Sequence, residues 1–157
     1  KTGGAAARGR ERDRPPERHA QFQTSEDRMT AWQFKNFTRA EFACSCCDKS
    51  EIDVDFVATL QRIRDKFGKA MPITSGYRCP VHNASVSSTG LRGPHVTGKA
   101  ADIAVMGEDA LKVLRIALED PAITGVGIAQ RGAPATRFLH LDALDPGNYP
   151  RPTVWSY

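Results

Sequence analysis

The chain has 157 residues, of which 40% are hydrophobic and 25% are charged, and its formal net charge is +4. These values are typical of one soluble globular domain with a real core. No run approaches the roughly 18 consecutive apolar residues of a membrane span, and the first residues lack the apolar core of a secretory signal. Lys and Arg are spread along the chain, so we expect no nucleic-acid partner, although a positive surface suits other polyanions, including an anionic cell wall.

Residues 1–29 differ in composition from the rest of the chain. They are rich in Gly, Ala, Pro and mixed charges, and they show no sustained apolar periodicity. This pattern predicts a flexible tail or linker. The folded domain is predicted to cover residues 30–157, because the first concentrated aromatic residues are Trp32, Phe34, Phe37 and Phe42.

The first predicted helix begins after Asp53, which can cap it, and ends at Gly68. Its apolar residues recur at helical spacing and are Val54, Val57, Leu60, Ile63 and Phe67. A short strand, "AMPIT", follows and leads into "SGYR".

A second helix is predicted from about Glu108 to Glu119, closed by Pro121. We expect its inner side to carry Leu111, Leu114, Ala117 and Leu118. Two strands follow, "ITGVGIA" and "RFLHLDAL", separated by a turn. Because helices and short strands are mixed without a regular βαβ rhythm, we predict an α+β fold with a small, largely antiparallel sheet and flanking helices.

Two segments carry candidate metal ligands. In "GPHVTGKAADIAV" a turn holds His95 and the following strand holds Asp102, and in "RFLHLDAL" His140 and Asp142 share one face because side chains alternate along a strand. If the sheet lays these strands close together, His95, Asp102 and His140 form the donor set of a catalytic zinc site with an open fourth position. Zinc lowers the pKa of bound water to roughly 7. This is hydrolase chemistry.

Two further residues are candidates for a catalytic role. Asp142 could accept the proton of the attacking water and deliver it to a leaving amine, or it could orient a metal ligand; we favour the acid/base role. Arg78 could stabilise developing negative charge or clamp a substrate carboxylate. A structural salt bridge is the alternative for Arg78.

The four cysteines are Cys44, Cys46, Cys47 and Cys79. An even number permits disulfides, while the CxxC of Cys44 and Cys47 with the CxxH of Cys79 and His82 could form a structural zinc site. We favour a single disulfide to Cys79, or reduced thiols. A thiol hydrolase that uses Cys79 with His82 is disfavoured, because neighbours in sequence rarely form such a pair and Pro80 constrains the geometry.

The segments "ITSGYRCPVHN", "SSTGLRGPHVTGKAADI" and "GVGIAQRGAPATRFLHLD" resemble the zinc D-Ala-D-Ala carboxypeptidase and L-alanyl-D-glutamate endopeptidase family, in which phage endolysins are numerous. The similarity covers roughly residues 31–157, including "RPTVWSY". "HVTGKAAD" carries the HxxGxAxD pattern of that family. The resemblance therefore implies that His95, Asp102 and His140 bind Zn²⁺, that Arg78 acts on substrate or transition state, and that the fold is the one shared with the Hedgehog signalling domain and lysostaphin-type peptidases.

The function implied by the resemblance is a zinc peptidase, of phage or bacterial origin, that cleaves peptidoglycan stem peptides in the bacterial cell wall, in the periplasm or outside the cell. We expect it to act as a monomer. Two positions depart from the family pattern. Arg137 replaces a frequent catalytic Glu and Gly93 a frequent Ser. Since Arg137 cannot be a general base, Asp142 is the best candidate and His82 a weaker one. A non-catalytic zinc-containing module that binds the cell wall is the alternative.

Overall fold

The structure is a computed structural model that describes residues 32–157, so the tail predicted at residues 1–29 lies outside the described part. Residues 32–157 contain three α-helices: α1 (Val54–Phe67), α2 (Pro80–Val86) and α3 (Gly107–Glu119). They contain five strands: β1 (Ile73–Ser75), β2 (Ala100–Ile103), β3 (Gly125–Ala129), β4 (Phe138–Asp142) and β5 (Thr153–Ser156).

These strands form one sheet in the order β1-β2-β4-β3-β5. Every neighbouring pair is antiparallel except β3 and β5, which run parallel. The structure confirms the prediction of an α+β fold with a small, largely antiparallel sheet.

Helix α1 has the ends that its sequence predicts. The Asp53 carboxylate accepts a hydrogen bond from the Phe56 amide at 3.0 Å, which satisfies one of the amides left free at a helix start. Gly68 ends the helix with φ of 74°, in the left-handed region that glycine enters without strain. The buried side of the helix includes Val57 and Leu60.

The inner face of α3 differs from the prediction. Its buried residues are Ala110, Val113 and Ala117, whereas Leu111 and Leu118 are 46% and 65% exposed. Helix α3 lies against α1 and β4, and small side chains on the contact face allow that close approach. The expectation that Leu111 and Leu118 face inward was therefore wrong.

The sheet separates the hydrophobic core from a polar face. Ala101 and Ile103 of β2 and Leu139 and Leu141 of β4 belong to the core, while the residues between them point to the other side. Burying one large apolar side chain contributes about 1.5–3 kcal/mol, and a slip of one residue would exchange the two faces. The core therefore fixes which side chains occupy the polar face.

Within residues 32–157, none of the helices combines the length and the apolar character needed to span a bilayer.

Candidate metal centre

The register of β2 and β4 places Asp102 directly opposite His140. His95 joins them from the 3-10 turn Pro94–Thr97, which precedes β2. Asp102 Oδ1 lies 2.8 Å from His140 Nδ1 and 3.3 Å from His95 Nε2. The donor atoms of the three residues lie within 4.8 Å of one another, so the structure brings the three predicted ligands together.

The turn that carries His95 depends on Gly98. This residue closes the turn with φ of 72°, and its carbonyl accepts a hydrogen bond from the Asp53 amide at 2.9 Å. A Cβ atom at this position would collide with the Glu51 carbonyl oxygen. The glycine of the HxxGxAxD pattern is therefore required both by its backbone angle and by its close neighbour.

Hydrogen bonds on the far side of each imidazole orient the two histidines. His95 Nδ1 lies 2.6 Å from the Gly76 carbonyl oxygen, which can only accept, so Nδ1 carries the proton and Nε2 is free to bind a metal. His140 Nε2 lies 3.2 Å from Asp142 Oδ2, which leaves His140 Nδ1 facing Asp102. Metal-binding histidines ordinarily have such partners on the second ring nitrogen.

The spacing of these atoms fits a zinc ion. Tetrahedral zinc with ligand bonds of about 2.0–2.2 Å separates neighbouring ligand atoms by about 3.4 Å. The 3.3 Å distance from Asp102 Oδ1 to His95 Nε2 is close to this value, and the 2.8 Å distance to His140 Nδ1 would have to lengthen by about 0.6 Å. Two imidazoles with one carboxylate are zinc donors. The residues present therefore fit the metal that their sequence pattern predicts.

Burial and ion pairing together set the charges of the centre. Burial opposes ionisation of Asp102, but hydrogen bonds with His140 and His95 outweigh it and hold the pKa of Asp102 well below its usual range. Burial lowers the pKa of His95, which favours the neutral form that binds metals. For His140, burial acts downward, but the carboxylates of Asp102 and Asp142 raise its pKa overall. The two carboxylates therefore favour positive charge at His140, which a proton supplies on the free imidazole and a bound metal ion would supply in its place.

Asp142 is fully buried and paired with Arg151. Its carboxylate accepts hydrogen bonds from Arg151 Nε at 2.9 Å and Nη2 at 2.6 Å. Burial raises the pKa of Asp142, but Arg151 and His140 outweigh it and lower the pKa to about 2. Asp142 does not belong to the lining of the cavity described below. These contacts favour the orienting role over the acid/base role, which stays a prediction.

Arg78 contacts the carboxylate oxygen of Asp102 that faces away from the two histidines. Its Nη2 lies 2.7 Å from Asp102 Oδ2, and its Nε donates to Ser75 Oγ at 2.8 Å. The salt bridge considered for Arg78 is therefore present. The side chain is also 16% exposed and lines the cavity, so the same guanidinium can reach a bound molecule.

A cavity of about 810 Å³ opens over the three candidate ligands. Its aromatic wall comes from Phe138, Tyr149, Trp155 and Tyr157, and Arg92 and Arg151 add positive charge. The Trp155 ring lies 5.1 Å from the His140 ring. Phe138 begins β4, and Tyr149, Trp155 and Tyr157 follow β4 in the chain.

Sequence reasoning assigned no role to Arg151 or Trp155, although a signal for their site was present in β3. Gly125 and Gly127 lie opposite Asp142 and His140. A Cβ at Gly125 would collide with the Asp142 carboxylate, and a Cβ at Gly127 would lie 2.8 Å from the Trp155 ring. The two glycines of "GVG" therefore leave room on this face of β3 for the side chains of Asp142 and Trp155.

Two other residues considered from the sequence lie apart from the centre. The Arg137 guanidinium donates to the Gly132 carbonyl at 2.9 Å and 3.1 Å, and Arg137 does not belong to the cavity lining. His82 Nε2 lies 3.4 Å from Ser45 Oγ, and His82 belongs to neither group of converging metal donors within residues 32–157.

Comparison with known protein families matches residues 35–142 to the family described as Peptidase M15. The chain belongs to the peptidase M15 family. A search of curated proteins finds none that matches it. The M15 match covers Arg78, His95, Asp102 and His140, and it confirms the resemblance noted from the sequence motifs. Membership of the M15 family indicates a zinc-dependent metallopeptidase with a peptide substrate.

Proposed function

We propose that this M15 peptidase hydrolyses peptide bonds of peptidoglycan stem peptides, as a D-Ala-D-Ala carboxypeptidase or an endopeptidase. His95, Asp102 and His140 are the proposed zinc ligands. The observation that carries the proposal is the convergence of their donor atoms within 4.8 Å at a cavity large enough for a peptide segment. A zinc ion held there would activate a water molecule for attack on the peptide carbonyl.

The chain's own residues prepare the site for this reaction. The Gly76 carbonyl and the Asp142 carboxylate fix the rings of His95 and His140. Arg78 holds Asp102 through Oδ2 and leaves Oδ1 directed at both histidines. The Arg78 cation also lines the cavity, where it can stabilise negative charge that develops on the scissile carbonyl.

The charge and shape of the cavity support an anionic peptide as substrate. Arg92 is exposed and lines the cavity together with Arg78 and Arg151. Stem peptides carry free carboxylates, and guanidinium groups bind carboxylates through paired hydrogen bonds. The aromatic wall with Trp155 and Tyr157 offers apolar surface beside these charges. We propose that the enzyme acts in the bacterial cell wall, as endolysins do.

One observation favours a second candidate, a non-catalytic zinc-containing module that binds the cell wall. Among residues 32–157, Asp102 is the carboxylate in the cavity lining, and it is a proposed zinc ligand. Asp142 is buried and Arg137 occupies the position of the family's frequent Glu. A wall-binding module would need no free general base.

The two candidates separate in an assay on purified peptidoglycan. The protein is stripped of metal, zinc is added back, and the released fragments are identified by mass spectrometry, which also tells which bond is cut. For a peptidase, chelation abolishes the release of new termini and zinc restores it. Unchanged turnover after complete metal removal would refute the peptidase proposal. Zinc-dependent binding to the cell wall, without turnover on any wall type, would support the second candidate.

A matched pair of variants tests where the zinc acts. His140→Ala removes a proposed ligand. It should abolish turnover and lower the zinc content by one ion per chain. His82→Ala removes a histidine that lies outside the centre and should leave wall hydrolysis intact.

A further inference from the structure

A second group of metal donors lies apart from the centre described above. The thiols of Cys44, Cys46, Cys47 and Cys79 place their sulfur atoms within 4.8 Å of one another, and none of the four is in a disulfide. Cys46 Sγ lies 3.5 Å from Cys44 Sγ and 3.4 Å from Cys79 Sγ. Three cysteines come from one turn, and the fourth comes from a segment more than thirty residues later.

The spacing of the sulfurs fits one tetrahedral ion. With zinc–sulfur bonds of about 2.3 Å, neighbouring sulfurs of a tetrahedral site lie about 3.8 Å apart. A disulfide would instead bring one pair to about 2.0 Å and leave the other thiols unpaired. Since Cys46 is nearly equidistant from two partners, the arrangement is that of a cluster and not of a pair.

The backbone around the cysteines supports this arrangement. The amides of Cys47 and Asp48 both donate to the Cys44 carbonyl, at 3.3 Å and 2.8 Å, and so wrap the first turn. The Cys79 amide donates to Cys44 Sγ at 3.4 Å, and the His82 amide donates to Cys79 Sγ at 3.4 Å. Amides directed at sulfur stabilise thiolates, which are the form that binds metals.

We propose that Cys44, Cys46, Cys47 and Cys79 bind one Zn²⁺ as a structural site with four thiolate ligands. Thiolates are soft ligands, and a tetrahedral set of four is typical of zinc. The zinc site considered from the sequence combined His82 with Cys44, Cys47 and Cys79, and it was less favoured than a disulfide or reduced thiols. The structure brings Cys46 into the group in place of His82. This proposal stands independently of the peptidase reaction.

The place of the cluster in the fold says what the ion would hold together. Cys79 directly follows Arg78, and the Tyr77 amide donates to the Phe42 carbonyl at 2.9 Å. The ion would tie the turn that begins at Cys44 to the segment that supplies Arg78 and the Gly76 carbonyl. It would thus position two groups that contact the catalytic centre.

The test uses the full chain with His95→Ala and His140→Ala combined, which removes two of the three donors of the other centre. Purified under reducing conditions with zinc, the parent should hold two zinc ions per chain and this double variant one, by elemental mass spectrometry. Replacement of that zinc by Co²⁺ should give sulfur-to-cobalt charge-transfer bands and the intense visible bands of tetrahedral cobalt. A cobalt spectrum without sulfur bands, iron in place of zinc, or no metal would overturn the proposal.

Single substitutions in the double variant provide the matched control. Cys46→Ser leaves three thiolates, so it should lower the intensity of the charge-transfer bands by about a quarter and weaken cobalt binding at least tenfold, whereas Ser45→Ala, in the same exposed turn, should change neither. If circular dichroism shows that Cys46→Ser does not fold, the cobalt spectrum of the double variant alone still tells whether thiolates bind the metal. A double variant without metal, beside a parent that holds one zinc and hydrolyses cell wall, would refute the thiolate site and leave the peptidase proposal standing.

Discussion

The guanidinium of Arg151 binds both carboxylate oxygens of Asp142, with Nε 2.9 Å from Oδ1 and Nη2 2.6 Å from Oδ2. The same carboxylate lies 3.2 Å from His140 Nε2. Arg151, Asp142 and His140 therefore form a line of paired groups that ends at the candidate zinc site. Because Asp142 is held from both sides, it is better placed to fix the His140 ring than to exchange protons with a substrate.

Asp142→Asn tests this relationship. The amide keeps the volume of the carboxylate but offers one acceptor oxygen, so the hold on His140 Nε2 weakens. We expect zinc affinity to fall about 10- to 100-fold, measured by competition with a chelator, and kcat to recover when zinc is in excess. A kcat that stays low at saturating zinc, with unchanged zinc affinity, would instead support the acid/base role. Asp145→Asn is the control, since Asp145 is an exposed aspartate three residues on.

Arg78→Lys separates a substrate role from a purely structural salt bridge. Lysine keeps the positive charge near Asp102 but lacks the fork that binds Ser75 and Asp102 together. We expect kcat/KM to fall by about 10²- to 10³-fold while the zinc content of the variant stays that of the parent. Arg137→Lys, outside the cavity, should leave kcat/KM unchanged. An unaltered kcat/KM in Arg78→Lys would show that the salt bridge is its whole contribution.

Arg92→Gln tests whether the exposed charge of the cavity binds substrate carboxylates. The substitution removes the cation and retains a polar side chain of similar reach, so KM should rise several-fold while kcat changes little. The effect should disappear with a synthetic stem peptide whose carboxylates are amidated, because that peptide offers no anion to bind. An equal rise in KM for both peptides would contradict the proposed contact.

Gly98→Ala and Gly90→Ala separate backbone strain from collision. Both glycines have left-handed φ, 72° and 61°, but a Cβ at Gly98 meets the Glu51 carbonyl whereas one at Gly90 meets open space. A non-glycine residue in this region costs about 1–3 kcal/mol. We expect Gly90→Ala to lose about that much free energy of unfolding and Gly98→Ala distinctly more, by urea denaturation with zinc chelated. If both variants lose the same free energy of unfolding, the Glu51 carbonyl must move aside to make room for the new Cβ at residue 98.

Much of the centre could be predicted because it depends on short-range rules. Alternation along β2 and β4 puts Asp102 and His140 on the face opposite to the core, and the spacing of "HVTGKAAD" allows His95 to reach them. Helix α1 was predictable in the same way, since Asp53 and Gly68 mark its ends.

The parts that could not be predicted depend on distant packing. The inner face of α3 follows from how closely it approaches α1, which favours Ala110 and Ala117 over the larger leucines. The burial of Asp142 depends on Arg151, which reaches it only after the chain has turned back toward β3. The composition of the thiol cluster depends on how one turn folds, which brings in Cys46 and leaves His82 outside.

The pairing of β5 with β3 extends the folded domain beyond the segment that matches its family. Residues 35–142 match the family and contain all three candidate zinc ligands, but Arg151, Trp155 and Tyr157 follow them. A fragment trimmed to the match would leave Asp142 as an uncompensated buried charge and β3 with an unpaired edge. Shortened or fused forms of this domain should therefore keep the chain through Tyr157. The Tyr157 amide donates a hydrogen bond to the Ile128 carbonyl at 3.1 Å.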